Sequence, residues 1–115
     1  IAALITGHGA VSQNFDSVKE YYRYQELCLL ENAGTIQNLE RQAVLIIQDG
    51  CDYQGEHLRP IRYCADFRYD ENGVTVIEDV KGYDEKKKKW LTTQVFDLKW
   101  KLLKAKYPNY KFHLY

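Results

Sequence analysis

Asp66 and the triplet Asp79-Val80-Lys81 are the residues of this chain whose types and spacing suit a chemical task. Two carboxylates on neighbouring strands give hard oxygen donors of the kind Mg²⁺ prefers, and that ion normally takes only one or two protein carboxylates. The Val80 carbonyl offers one more oxygen. Lys81, two residues beyond Asp79, projects to the same side of a strand, where an ammonium orients a water or holds a phosphate. Cation and acids together are what phosphodiester hydrolysis requires. An ordinary surface ion pair between Asp79 and Lys81 reads identically from the triplet alone. The two readings differ in one respect: a site needs Glu20, Asp66, Asp79 and Lys81 to converge.

The elements that must position these residues are legible in part. Ile61 to Tyr69 alternates, with Ile61, Tyr63, Ala65, Phe67 and Tyr69 on one side and Arg62, Cys64, Asp66 and Arg68 on the other. Asp70-Glu71-Asn72-Gly73 carries the Asn-Gly hairpin signal, and Val74 to Lys81 returns as the second strand. Ahead of them, Ser17 and Glu20 form a capping box, and Gly34 is the matching stop, which predicts a helix between. Glu20 opens an inward stripe with Tyr24, Leu27 and Glu31, widened by Cys28 and Leu30. Its carboxylate either caps the Ser17 amide or reaches the site. Ile36 to Leu39 and Ala43 to Gln48 read as two extended segments, and Cys51 to Pro60 as a loop or irregular hairpin.

After Gly82 and the run Lys86 to Lys89, a helix is expected from about Trp90 to Tyr107. Leu91, Val95, Leu98, Leu102 and Ala105 make its apolar stripe, broadened by Phe96, Trp100 and Leu103, with Lys99, Lys101, Lys104 and Lys106 on the remaining faces. Pro108-Asn109 ends it, and Tyr110 to Tyr115 closes as a strand. The order is helix, three strands, helix, strand. Residues 1–14 are expected to be an N-terminal arm or edge strand, with His8 between Gly7 and Gly9 a solvated loop histidine, and residues 15–115 to be one domain.

The chain has 115 residues, enough to bury a core without staples. Its net charge is zero, but Lys+Arg against Asp+Glu is 6 to 13 over residues 1–80 and 10 to 3 over residues 81–115. That asymmetry points to a polyanion-facing side carried by Lys86, Lys87, Lys88, Lys89, Lys99 and Lys101. Ten tyrosines suit a half-open groove. Cys28, Cys51 and Cys64 have no CxxC spacing, and adding His57 gives no metal-ligand pattern, so reduced thiols in a cytoplasmic setting are expected. No apolar run approaches the roughly 18 to 20 residues of a membrane span, IAALI lacks the features of a signal peptide, and the missing initiator Met fits a piece of a longer protein.

These residues resemble the PD-(D/E)xK nuclease superfamily, the motif being Asp66 followed by Asp79-Val80-Lys81, with Ala65 where a proline often stands. FDSVKEYYRYQELCLLENAGTIQNLERQ, YCADFRYDENGVTVIEDVKG and LKWKLLKAKYPNYKF further resemble a small phage and prophage family of uncharacterised proteins assigned to it, over roughly residues 15–115. Phe15, Ser17 and Glu20 match the Phe-x-Ser-x-x-Glu pattern whose glutamate joins the active site in some relatives. The resemblance implies an α/β (α+β) sandwich with a restriction-endonuclease-like core and a mixed central sheet. It implies an endonuclease dependent on Mg²⁺ or Mn²⁺ that hydrolyses DNA, with branched or recombination-intermediate phage DNA as candidate substrates. Glu20, Asp66, Asp79 and Lys81 are then the catalytic set, and Asp66, Asp79, Val80 and Glu20 the metal ligands. The location is then the host cytoplasm for a phage-encoded chain, and phage recombination or packaging proteins are candidate partners. A homodimer is expected, because one site cuts one strand. The alternatives are a noncatalytic nucleic-acid-binding or assembly protein that keeps the fold, and an RNA-directed protein whose tyrosines stack on unpaired bases.

Overall fold

A computed structural model describes residues 2–5 and 12–115, with side chains from Phe15 onward; His8 and its flanking glycines lie outside the described residues. In chain order the elements are β1 (Ala2–Ile5), β2 (Ser12–Phe15), α1 (Val18–Asn32), β3 (Gln37–Gln48), β4 (Cys51–Tyr53), β5 (Glu56–Leu58), β6 (Ile61–Glu71), β7 (Val74–Asp79), β8 (Gly82–Asp84), β9 (Lys89–Leu91), α2 (Gln94–Lys106) and β10 (Lys111–Leu114). The central sheet has the order β10-β7-β6-β3. β3, β6 and β7 are antiparallel neighbours, and β10 joins β7 in parallel. The sheet is therefore mixed, with helices on its two faces, and the expected α/β sandwich is found. Among the described residues β1 and β2 pair only with each other, as do β4 with β5 and β8 with β9.

Helix α1 begins where Ser17 Oγ accepts the Glu20 N–H at 3.1 Å. It ends in a Schellman turn: Thr35 N–H donates to the Leu30 carbonyl, Gly34 N–H donates to that of Glu31, and Gly34 holds φ +81°. A side chain at that φ is strained, so Gly34→Ala is expected to lose about 1 kcal/mol in urea unfolding, with an unchanged m value. Asn72 and Gly73, at φ 53° and 79°, make the tight turn between β6 and β7. Gln54 and Gly55 do the same between β4 and β5, so Cys51 to Leu58 is a hairpin.

Two apolar layers hold the helices to the sheet. Leu27 and Ile36 pack with Phe67, Tyr69 and Val76 on the α1 side. Leu45, Ala65 and Ile77 pack on Phe96, Trp100 and Leu103 on the α2 side. The alternation expected along β6 thus breaks at Asp66. Tyr63 and Ala65 join the α2 layer, whereas Phe67 and Tyr69 join the α1 layer. On β3, Leu45 faces α2, while Arg41 stacks over Phe15 and Tyr24 on the α1 side. The cause lies opposite Asp66, where Gln42 adopts φ 52°, a left-handed conformation that rotates the strand between Arg41 and Ala43. β3 pairs with β6 from Gln37 to Gln48, with register shifts at Gln37/Glu40 and Ile46/Gln48, so it is one irregular strand and not two segments.

Three further expectations need correction. The second helix begins at Gln94, not Trp90. Thr93 Oγ1 accepts the Phe96 N–H at 3.0 Å and caps it there, while Lys89 to Leu91 is held in extended pairing with Gly82 to Asp84. The four lysines lie in and beside the turn of that hairpin. The apolar stripe of α2 is also reversed: Phe96, Trp100 and Leu103 are buried, and Leu91, Val95, Leu98 and Leu102 are exposed. The aromatic residues carry the larger apolar area and take the core side.

Candidate metal centre

The β6–β7 ladder runs from Glu71↔Val74 only as far as Phe67↔Glu78. Beyond that pair the two aspartates take over from the backbone. Asp66 N–H donates to Asp79 Oδ1 at 2.9 Å, and Val80 N–H donates to Asp66 Oδ2 at 2.8 Å. Each acid thus fills the gap left by the parting strands and is fixed by the other's strand. The neighbouring edge of β7 is occupied, since Tyr115 N–H donates to the Asp79 carbonyl and Lys81 N–H to the Tyr115 carbonyl. In an extended chain the Val80 carbonyl follows its N–H to the Asp66 side.

The N-terminus of α1 brings two more acids to this place. Carboxylate oxygens of Asp16, Glu20 and Asp66 all lie within 4.8 Å of one another. Glu20 is buried, and its Oε1 accepts the Asp16 N–H at 3.3 Å, not the Ser17 amide that the capping box predicts. Gln42 Nε2 approaches Glu20 Oε2 at 3.4 Å, and Cys64 Sγ donates to Gln42 Oε1 at 3.2 Å. The left-handed Gln42 thereby turns its amide towards the acids. Asp79 stands beside the group of three; its Oδ2 is buried without a hydrogen-bond partner among the described residues. An orphaned buried carboxylate oxygen next to three clustered carboxylates suits a hard divalent cation, and this donor set fits Mg²⁺ or Mn²⁺.

The electrostatics carry the mark of that crowding. Burial, followed by the charge of Asp66, raises Glu20 to about 7. Burial raises Asp79 to about 6 against the opposing Asp66 amide and Lys81 charge. Asp66 is also raised by burial, against the Val80 amide and Lys81. The Cys64 thiol is raised, first by burial and then by Asp66, Asp16 and Glu20. The raised values mean that each of these acids holds its proton more tightly than an exposed carboxyl, a penalty that a bound cation would offset.

Asp16, Ser17, Lys19, Glu20, Asp66, Val80, Lys81 and Gly82 line an open cleft of about 340 Å³. Lys81 places its Nζ 4.2 Å from the centroid of the Phe96 ring, in the first turn of α2. Lys19 Nζ donates to the Lys81 carbonyl at 2.7 Å and lies over the Trp90 and Tyr115 rings. It therefore ties α1 to the backbone of Lys81 and to the root of the lysine hairpin. One residue before Asp79, the fully buried Glu78 accepts Arg23 Nε at 2.6 Å, Arg23 Nη2 at 2.8 Å and the Tyr69 hydroxyl at 2.8 Å. This brace locks α1 to β7 on the opposite side of the sheet from Ile77.

The structure thus brings Glu20, Asp66, Val80 and Lys81 to one cleft, whereas Asp79 neither lines it nor joins the group of three acids and is linked to the site through the Asp66 amide. Of the four residues expected to converge, three do. Lys86 to Lys89 are exposed on the β8–β9 hairpin, which leaves the cleft at Gly82; Lys101 is exposed on α2, and Lys99 is half-buried. Asp16, Lys19 and Gln42 were not singled out by sequence. Asp16 had a signal, since it precedes Glu20 by four residues at a helix start; Gln42 had none. His57 pairs with Asp52 at 2.9 Å on the exposed β4–β5 hairpin and takes no part. Among the described residues no helix is long and apolar enough to cross a membrane.

No curated protein and no solved structure matches the chain. A family model described as "Protein of unknown function (DUF1064)" matches residues 8–115, and the chain belongs to that family.

Proposed function

We propose that this chain is a metal-dependent DNA endonuclease of the PD-(D/E)xK kind, hydrolysing phosphodiester bonds in the cleft between the first turn of α1 and the place where β6 and β7 part. The observation that carries the reading is the convergence of Asp16, Glu20 and Asp66 within 4.8 Å where β6 and β7 part, with Lys81 lining the same cleft. A surface ion pair does not account for it: Glu20 and Asp79 are each only 1% exposed, and burying acids together is costly without a cation.

Asp16, Glu20 and Asp66 would hold the ion, with Asp79 and the Val80 carbonyl as adjoining donors. When bound, the metal supplies charge neutralisation at the phosphate. The chain's own contribution is placement. The Val80 amide fixes Asp66, the Asp66 amide fixes Asp79, and Lys19 fixes the backbone of Lys81. Lys81 brings an ammonium to orient the attacking water and to take up negative charge on the scissile phosphate. Its place over Phe96 limits its freedom before substrate arrives.

The hairpin lysines grip the backbone of the nucleic acid. Lys86 and Lys87 N–H groups both donate to Asp84 Oδ1 at 3.0 Å, which shapes the turn that presents them. Replacing Lys86, Lys87, Lys88 and Lys89 together by Gln is expected to weaken DNA binding alike on different sequences. The slope of log affinity against log salt should flatten by up to about 0.9 for each phosphate that a lysine no longer neutralises, as fluorescence anisotropy at several salt concentrations will measure.

Cleavage of linear, nicked and four-way DNA with Mg²⁺ or Mn²⁺ tests the reading, comparing the unaltered chain with Asp79→Ala and Lys81→Ala. Metal-dependent cutting by the unaltered chain, lost in both variants, is expected. Equal cutting by all three would end the assignment.

A further inference from the structure

Helix α2 is apolar on two opposite faces. Phe96, Trp100 and Leu103 fill the core, while Val95, Leu98 and Leu102 on the other side are 62%, 59% and 42% exposed, and Leu91 just ahead of the helix is 53% exposed. Lysines run along the seams between the faces. A contiguous exposed apolar stripe of this kind marks a contact surface.

We infer that a second copy of this chain covers the stripe, with α2 lying antiparallel on α2 of the other copy about a two-fold axis level with Trp100. The stripe is its own complement in that arrangement. Leu98 meets Leu102 of the second copy, and Val95 meets Ala105, so large residues pack at the centre and small ones fill the ends. In an antiparallel helix pair the same flank of each helix comes together. Asp97, the acid of the first turn, then falls between Lys101 and Lys104 of the second copy, and the symmetry makes this contact twice. A parallel pairing would instead bring opposite flanks together, with Asp97 near Lys99 of the second copy, and would set each stripe residue on its own equivalent, leaving Ala105 against Ala105 at one end. Each α2 carries four lysines against Asp97, a repulsion that the two Asp97 contacts offset in part.

The contact is a small one. The 13 residues of α2 span about 20 Å. A stable interface buries about 800 Å² per partner, which is more than one such helix supplies. On the other flank Lys99 and Lys106 have no acid to meet. The dimer is therefore weak, with a dissociation constant on the order of 10 µM. This inference stands apart from the chemistry of the cleft.

Sedimentation velocity of the full chain from about 1 to about 100 µM tests it. The unaltered chain is expected to pass from monomer to dimer over that range. Leu98→Glu should remain monomeric while keeping its circular dichroism and melting temperature, because Leu98 is largely exposed in its own chain. Lys104→Asp should weaken the dimer about tenfold, and adding Asp97→Lys should recover most of the loss. A monomer throughout the range, or association beyond a dimer, overturns the inference. So does a dimer indifferent to Leu98→Glu. A dimer abolished by Lys104→Asp and not recovered by the exchange overturns the antiparallel arrangement, and loss of melting temperature in Leu98→Glu shows that the stripe serves its own fold.

Discussion

Asp66→Asn is expected to fold, to bind DNA as the unaltered chain does in the absence of metal, and to cut it at least about a hundredfold more slowly. The substitution keeps the shape of the side chain and leaves an amide oxygen to accept the Val80 N–H, a bond of 2.8 Å in the unaltered protein. What it removes is charge, at the one residue that both joins the cluster with Asp16 and Glu20 and fixes Asp79 through its backbone. Lys81→Ala should also slow cleavage, with little change in metal affinity, because the ammonium acts on water and phosphate and not on the ion. Gel assays of supercoiled and branched DNA measure the rate, and anisotropy with chelator present measures binding. If Asp66→Asn cuts as fast as the unaltered chain, the cluster has another purpose.

The second large effect is a stability that falls with rising pH until metal is added. Glu20 lies at about 7 and Asp79 at about 6 in the folded chain, each above its ordinary value of 4.5 and 3.8, and Asp66 is raised as well. A carboxyl whose folded pKa is raised binds its proton more tightly when folded. Stability is then greatest below the unfolded pKa values and declines as pH climbs through the folded ones. The window is about pH 4 to about pH 7. The loss is on the order of 2 kcal/mol. Melting with chelator should show a temperature that drops from about pH 5 to about pH 8, by roughly 10 °C. Mg²⁺ should restore most of it at the upper end and little at the lower, because protons and metal compete for the same oxygens. Glu20→Gln should be more stable than the unaltered chain at neutral pH without metal, and should respond less to Mg²⁺. A melting temperature that is flat or rising across this window in the unaltered chain would contradict the crowding of these acids.

Asp66, Asp79 and Lys81 are readable from sequence because period-two alternation and the Asn72-Gly73 turn bring two strands together without reference to the rest of the chain. Glu20 is readable from the capping box. Its reach into the cleft is not, since that depends on how α1 lies on the sheet, and the Arg23–Glu78 brace that fixes this joins residues 55 apart. Asp16 carries only the weak signal of standing four residues before Glu20 at a helix start, where no periodicity fixes the direction of its side chain. The kink at Gln42 leaves no trace at all: a left-handed glutamine looks like any other polar residue in a strand. The reversed stripe of α2 has a different origin. A 3.6-residue period identifies an apolar face but cannot choose between two, and Phe96 and Trp100 decide by volume. The three-residue strands β8 and β9 are hidden by the lysine run between them, so Lys86 to Lys89 sit in a hairpin turn where the sequence suggests a helix approach.

The most direct test of the central claim is the location of a metal. Crystals of the unaltered chain soaked in Mn²⁺ are predicted to show an anomalous peak about 2.0 to 2.4 Å from carboxylate oxygens of Asp66 and of Asp16 or Glu20. A peak elsewhere only, or none at saturating Mn²⁺ near neutral pH, would contradict it.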